Sequence, residues 1–253
     1  ALTVLAGAVS VWAYTGRWYF LLAPFAFLYV VVLALNWKTA WWIFLATIPV
    51  SIQINFAGDT MSIPLPDQPM IGMFLALFPL VLAANPRRIP EWFWRDNLTL
   101  IILLQYLWTA VAVIFSKMLF FSAKFFLAKA WLLASFYFIP VWIFKTKKDF
   151  IRAFWLLLVP MLATILVILV HHAMLGFKFD KVQKSMSGLY YNHVDYSTVI
   201  SMFFPLLLIC WPLTKKRSPV VRISLAIAIV VYLLGIYFAY ARAAEVGLVP
   251  LGA

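Results

Sequence analysis

Residues 153–173 read AFWLLLVPMLATILVILVHHA and contain no Asp, Glu, Lys or Arg. A helix of about 20 apolar residues crosses the hydrocarbon core of a bilayer, so this stretch predicts a transmembrane helix. The rest of the chain has the same character, because 66% of its 253 residues are hydrophobic and 11% are charged. An ordinary soluble domain is about a quarter charged. The composition predicts an all-α, polytopic transmembrane helical bundle that forms a single domain over residues 1–253.

Long apolar runs separated by charged residues, Pro or Asn predict nine spans. Their approximate bounds are 1–14, 18–35, 39–56, 69–84, 98–116, 125–144, 153–173, 197–213 and 223–240. Many of the 12 Trp residues fall at the predicted ends, where an indole ring sits favourably at the level of the lipid headgroups. A single cysteine, Cys210, excludes an internal disulfide.

The distribution of Lys and Arg predicts the orientation, because basic residues accumulate in cytoplasmic loops. With nine alternating spans and an inner N-terminus, twelve basic residues lie inside and eight lie outside. The outer eight are Arg17, Lys117, Lys124, Lys129, Lys178, Lys181, Lys184 and Arg242. The net charge of +12 does not indicate nucleic-acid binding, since the basic residues lie between apolar runs rather than on one soluble face.

The sequence lacks the residues of several common membrane activities. All eight carboxylates lie outside the predicted spans or at their edges, which argues against a coupled pump with an ionisable relay at the midplane. No Gly-x-x-x-x-Gly-Lys sequence for a nucleotide occurs. His171, His172 and His193 do not have the spacing of a metal site. We therefore expect no metal and no other cofactor.

An outer loop over residues 174–196 joins the seventh and eighth predicted spans and is the most polar outer stretch. It carries three lysines, Lys178, Lys181 and Lys184. These lysines either bind an anionic ligand or form a solvated face. At the end of the loop, Asp195 and Ser197 are expected to cap the next helix. His193 is either a hydrogen-bonded part of that cap or a polar contact for a sugar or a phosphate.

A second informative stretch, YFAYARAAEVG at 237–247, lies at the outer end of the ninth predicted span. The guanidinium of Arg242 suits phosphate or diphosphate oxygens, and the small alanines beside it let a bulky substrate approach. The alternative is an ion pair with Glu245, three residues further along a helix. Lys124 and Lys129 are further unusual charges close to the outer end of a span. Each either snorkels to the headgroups or joins the same anion site.

Two short motifs in these stretches are similar to a known family. The first is the run NHVDYS at 192–197, which enters a span that contains FFPLLL at 203–208. The second is YARAA at 240–244. The sequence here resembles the bacterial O-antigen ligase and polymerase superfamily, in which an Asn-containing helix entry precedes a Pro-bearing helix and an Arg stands near the lipid diphosphate.

The resemblance implies a metal-independent, inverting glycosyltransferase of lipopolysaccharide biosynthesis in the bacterial inner (cytoplasmic) membrane, with a periplasmic active face. The donor would be an undecaprenyl-diphosphate-linked glycan, and the acceptor a lipid A core or a polysaccharide. The implied substrate contacts are Arg242, Lys129, Lys124, Lys181 and His193. The family carries its catalytic His on a large loop further along the chain. We therefore expect this chain to be the N-terminal part of a longer protein, with its catalytic residues still unknown.

Two other functions remain open from the sequence. A flippase or another transporter for lipid-linked oligosaccharides would also bring many spans and basic residues to an anionic lipid. Such a transporter is expected to line a central cavity with cations, whereas Lys129 is the one cation clearly inside a predicted span. The other alternative is a non-enzymatic membrane subunit whose spans pack against a partner.

Overall fold

The structure is a computed structural model that describes residues 21–56, 61–84, 89–214 and 219–242, with residues 7, 9–11 and 13. The described residues are almost entirely helical, so the all-α fold class is confirmed. Five of the helices are long and apolar enough to cross a membrane. The chain divides into two compact units, residues 1–46 and residues 47–253.

The first unit contains a helical corner. Helix α1, Ala23–Leu35, ends at Asn36, and helix α2, Trp37–Thr47, begins directly after it. The Asn36 side chain accepts the backbone N–H of Thr39 at 3.2 Å, which satisfies a free donor in the first turn of α2. The Tyr29 hydroxyl donates to the carbonyl of Ala40 at 3.2 Å. These two hydrogen bonds fix the turn between the helices.

The predicted span 39–56 is wrong. Helix α2 ends at Thr47, a 3-10 turn follows at Ile48–Val50, and strand β1, Ile52–Phe56, pairs with strand β2, Met61–Leu65, in an antiparallel hairpin. Pro49 explains where the helix stops, because its ring nitrogen has no hydrogen to donate to the helical ladder. The residues after it, SIQINF at 51–56, alternate polar and apolar, which is the period of a strand.

The five long helices confirm the last five predicted spans. They are α4, Asn97–Ile114; α5, Leu119–Ile143; α6, Lys147–Met174; α7, His193–Leu213; and α8, Pro219–Tyr237. Two further apolar helices, α1 and α3 (Asp67–Ala84), cover much of the predicted spans 18–35 and 69–84. One-turn helices lie at Glu91–Arg95 and Val182–Ser185. Most of the predicted span 1–14 lies outside the described residues.

Polar residues at the helix starts satisfy backbone N–H groups that have no partner within the helix. Asp96 accepts the N–H groups of Leu98 and Thr99 at the start of α4. The Asn192 side chain accepts the N–H of Asp195 at 2.7 Å at the start of α7. The predicted cap by Asp195 and Ser197 is therefore wrong. Helix α7 begins at His193, so the capping position falls on Asn192.

The main core lies between α6, α7 and α8, which pack on one another. Its buried residues are Leu158, Ile165, Ile168, Ile200, Leu207, Leu225, Tyr232 and Ile236, among others. Helix α5 packs instead on α3 and α4. Thr99 is the one buried residue of α4, although the helix is strongly apolar. Such a surface is stable in lipid rather than in water.

A π turn at Ala134–Phe138 interrupts α5. Pro140 follows it, and since proline has no N–H it removes one hydrogen bond from the helical ladder. No residue of α5 before the turn, over Leu119–Leu133, is buried, whereas the residues after it are mostly buried. The Tyr137 hydroxyl within the turn lies 2.7 Å from the Thr99 hydroxyl of α4. The turn thus marks the point where α5 passes from an unburied stretch into a packed environment.

The close packing of α8 on α6 and α7 predicts a large effect of Gly235→Ala. A Cβ at Gly235 would lie 2.9 Å from both the Ile165 Cγ2 and the Tyr196 hydroxyl oxygen. Overpacking of this kind costs about 1–3 kcal/mol. We expect Gly235→Ala to lower the midpoint of unfolding in a detergent titration followed by circular dichroism.

Gly72→Ala in α3 is the matched control, because a Cβ at Gly72 has no neighbour within 4 Å and alanine favours a helix. Tyr196→Phe should partly rescue Gly235→Ala, since it removes the oxygen that the new methyl group meets. The Tyr196 hydroxyl is buried and has no hydrogen-bond partner among the described residues, so its removal should cost little. An unchanged midpoint for Gly235→Ala would contradict the close approach.

Candidate anion-binding site

Arg242 lies just beyond the end of α8. The helix ends at Tyr237, the N–H groups of Phe238 and Ala239 still bond back into its last turn, and the backbone reverses at Tyr240. Tyr240 has φ 53°, a left-handed conformation that commonly terminates helices but is unusual for a tyrosine. Ala241 is buried and Arg242 is exposed. The turn is therefore followed by a buried residue and then by an exposed arginine.

A hydrogen bond connects this turn to the polar loop after α6. The Tyr240 hydroxyl donates to the carbonyl of Phe177 at 2.7 Å. Phe177 also has a positive φ, 51°, and these two are the non-glycine residues with positive φ in the described part of the chain. Each such conformation costs of order 1 kcal/mol or more and tends to occur at functional sites. The two strained residues thus hold each other in place.

His172 lies beneath this contact, in the last turn of α6, with 1% of its surface exposed. Its Nε2 lies 3.2 Å from the carbonyl oxygen of Lys178, which can only accept, so Nε2 carries the hydrogen. Its ring centroid lies 5.3 Å from that of Phe177 and 6.0 Å from that of Tyr240. Phe238 stacks on Phe177 at 4.2 Å. We call these four residues, His172, Phe177, Phe238 and Tyr240, the His172 cluster.

Two segments that carry cations, from distant parts of the chain, meet at the His172 cluster. Lys178 follows Phe177 directly and is exposed, and Arg242 stands two residues after Tyr240. Further along the loop, Lys181 and Lys184 are exposed as well. Lys181 lies 3.6 Å from the carboxylate of Asp180, but both side chains are about half or more exposed, so water weakens the pair. The arrangement suits a multiply charged anion that approaches from solvent.

The other predicted contacts lie elsewhere. Lys124 and Lys129 belong to α5, which packs on α3 and α4 rather than on the helices that form the His172 cluster. The Nζ of Lys129 lies 5.2 Å from the ring centroid of Phe125 in its own helix. His193 is the half-buried first residue of α7. Glu245, the predicted alternative partner of Arg242, lies outside the described residues.

The β-hairpin, which the sequence did not predict, contacts the same polar loop. The N–H of Gln53 in β1 donates to the carbonyl of Gly188 in the polar loop at 2.8 Å. Below the hairpin, the Thr164 hydroxyl of α6 donates to the carbonyl of Pro49 at 2.8 Å. The first bond connects the hairpin to the loop that carries the lysines, and the second connects the turn before the hairpin to α6. The polar and apolar alternation at 51–56 was the sequence signal for it.

His172, one of the three histidines that could suggest a metal in the sequence, instead lies buried at the centre of the candidate site. Its position at the last turn of an apolar helix, next to a polar loop, is a signal that could have indicated a loop anchor. His171 has a similar role, since its Nδ1 lies 3.0 Å from the carbonyl of Ser185. Within the described ranges, no three His, Cys, Asp or Glu side chains come together as metal ligands would.

Comparison of the chain with protein-family models, with curated proteins and with solved structures finds no match. The function is therefore inferred from the residues and their geometry.

The contact between Tyr240 and Phe177 predicts that Tyr240→Phe loosens the lysine loop. A lost hydrogen bond of about 1 kcal/mol raises the population of the open loop roughly fivefold. We expect trypsin to cleave faster at Lys178, Lys181 and Lys184 by a similar factor, as measured by mass spectrometry of the fragments. Tyr237→Phe, at an exposed position on α8, is the control and should leave the rate unchanged. Equal cleavage rates for the two variants would contradict the role of the hydroxyl.

Proposed function

We propose that this protein binds an undecaprenyl-diphosphate-linked glycan through Arg242 and the loop lysines and transfers the glycan to a lipid A core or polysaccharide acceptor. The observation that supports the proposal best is the His172 cluster, where the segment before Arg242 and the segment that carries Lys178 meet at the ends of α6 and α8. A diphosphate at that level would have its isoprenoid chain beside the helices and its glycan in water.

The basic residues support a periplasmic position for this site. Because 39–56 is not a span, the nine-span alternation no longer assigns Arg17 and Lys38 to a side of the membrane. The basic residues are therefore assigned to sides from the five long helices alone. The basic residues on the side away from Arg242 then number eleven: Arg87, Arg88, Arg95, Lys145, Lys147, Lys148, Arg152, Lys215, Lys216, Arg217 and Arg222. The Arg242 side has seven: Lys117, Lys124, Lys129, Lys178, Lys181, Lys184 and Arg242. The excess favours a cytoplasmic location for the first group.

The chemistry of the proposed reaction requires stabilisation of a leaving group. A lipid diphosphate leaves with a negative charge, which arginine and lysine can neutralise without a metal ion. The acceptor hydroxyl also needs a general base. His172 is unsuited to that role, because it is buried and its Nε2–H is engaged by the Lys178 carbonyl. The role proposed for the described residues is thus the binding of the anion by Arg242 and the loop lysines.

The burial pattern favours this surface site over a transporter. A transporter for a lipid-linked oligosaccharide would line a path between the helices with cations. Among the described residues, the buried polar side chains are Ser, Thr and His, and no buried residue is Lys, Arg, Asp or Glu. The cations lie at the ends of the helices instead. A scrambling assay with labelled lipid in liposomes separates the two functions, because transfer does not require movement of the glycan across the bilayer.

The proposal predicts that Arg242→Ala weakens binding of undecaprenyl diphosphate. A charge-assisted hydrogen bond contributes about 1.5–3 kcal/mol, which corresponds to a loss of about tenfold or more in affinity. Arg242→Lys should recover part of the loss, since it keeps the charge but not the planar fork. Binding is measured with labelled undecaprenyl diphosphate and the protein in lipid nanodiscs.

Arg95→Gln is the matched control, because Arg95 is an exposed arginine at the other end of the five-helix series. It should bind undecaprenyl diphosphate as the unmodified protein does. Equal affinities for Arg242→Ala and Arg95→Gln would exclude Arg242 as a diphosphate contact. Binding of undecaprenyl monophosphate as tightly as the diphosphate would also contradict the proposal.

The proposed orientation predicts opposite labelling of two engineered cysteines. With Cys210→Ser as background, Lys181→Cys should react with a membrane-impermeant maleimide added outside intact spheroplasts, because Lys181 is exposed in the polar loop. Lys145→Cys, exposed between α5 and α6, should react only after permeabilisation. The reverse pattern would place the Arg242 site in the cytoplasm.

A further inference from the structure

An open cleft lies at the end of the α4–α5 hairpin and takes no part in the His172 cluster. Its volume is about 540 Å³. Five apolar side chains, among them Val113, Phe121 and Phe125, line it beside Lys117 and the serines Ser116 and Ser122. From this combination we infer that the cleft binds an anionic phospholipid, with the lipid phosphate on Lys117 and the serine pair.

The polar part of the cleft can donate to a phosphate. Lys117 is exposed and has no carboxylate within ion-pairing distance in the part of the chain that the structure describes. The hydroxyls of Ser116 and Ser122 lie 2.6 Å apart, so one donates to the other and the second hydroxyl keeps its hydrogen. Ser116 also accepts the N–H of Met118 at 3.1 Å, which fixes its oxygen. One ammonium and one hydroxyl thus remain to meet an anion.

The charge of the surrounding helices favours an anionic occupant. The sequence contains no Asp or Glu between Asp96 and Asp149, a stretch that includes both helices of the hairpin. Lys124 is exposed one turn from the cleft, and the Nζ of Lys129 lies 5.2 Å from the ring of Phe125, which forms part of the wall. These cations have no negative counterpart on α4 or α5. A lipid phosphate supplies one at the level of the helix ends.

The apolar part of the cleft distinguishes a lipid from a free phosphate ion. Phe121 and Phe125 stand one helical turn apart and are more than half exposed, and Met118 precedes them. Val113 faces them from α4. An acyl chain that runs down this wall buries apolar surface that the hairpin itself leaves open. The cleft therefore binds both the phosphate and an acyl chain of one phospholipid.

Native mass spectrometry of the whole chain in detergent tests this inference, with phosphatidylglycerol and phosphatidylcholine of identical acyl chains as probes. We expect phosphatidylglycerol to be retained about fivefold more than phosphatidylcholine, since one lysine near an anionic lipid contributes at about that level. Lys117→Gln should remove the preference. Lys145→Gln removes the same charge from the opposite end of α5, and this variant should retain the preference for phosphatidylglycerol. Retention of the preference in Lys117→Gln, or its absence in the unmodified protein, would overturn the proposal.

Two further variants and two competitors complete the experiment. Ala112→Trp fills the cleft from an exposed position, and we expect it to reduce retention of both phospholipids. Inorganic phosphate should not displace phosphatidylglycerol; displacement would show a phosphate site without a lipid role and contradict the proposal. Arg242→Ala should leave the preference intact. If Lys117→Gln weakens undecaprenyl diphosphate binding as Arg242→Ala does, the cleft belongs to the donor site and is not a separate phospholipid site.

Discussion

Hydrocarbon offers no partner to a backbone N–H or C=O, so every such group within the membrane must be paired inside the protein. In this chain the requirement is met by five long helices, and it is most visible where helices stop. Asp96 and Asn192 accept the free N–H groups at two helix starts. Where α2 ends, the hairpin strands pair with each other, and Gln53 of β1 bonds to Gly188 of the polar loop. The polar contacts of the molecule are therefore concentrated at the helix ends.

The same requirement determines where a charged site can be built. A guanidinium or an ammonium group is costly in the middle of the bundle, and the α6–α8 core contains none among its described residues. The segments that carry Arg242 and Lys178 instead meet through main-chain and aromatic contacts at the helix ends. Lys117 lies on the same side of the five-helix series, because two crossings separate it from Lys178. The two proposed anion sites thus lie on the same side of the helices but are built on different helices.

The sequence predicted the long helices well, because hydropathy over about 20 residues measures the property that the bilayer selects. The prediction was wrong at 39–56, because hydropathy averaged over a long window does not show the alternation of polar and apolar residues that follows Pro49. It also predicted the cap of α7 at Asp195 instead of Asn192, since a one-turn shift in the helix start is invisible to hydropathy. For the site, the sequence indicated Arg242 and the loop lysines. It could not show that Tyr240 and His172 join them, because that contact depends on two strained turns far apart in the chain.

The π turn in α5 makes the two parts of that helix face different surroundings. An extra residue in one turn rotates everything beyond it by about 100° relative to an uninterrupted helix. No residue of α5 before the turn is buried, whereas Trp142 and Ile143 after it are buried within the protein. The π turn therefore changes the direction in which these side chains point around the helix axis more than it changes their separation along the axis. Loss of a single amino acid at 134–138 would realign the two parts and expose an indole that is now covered.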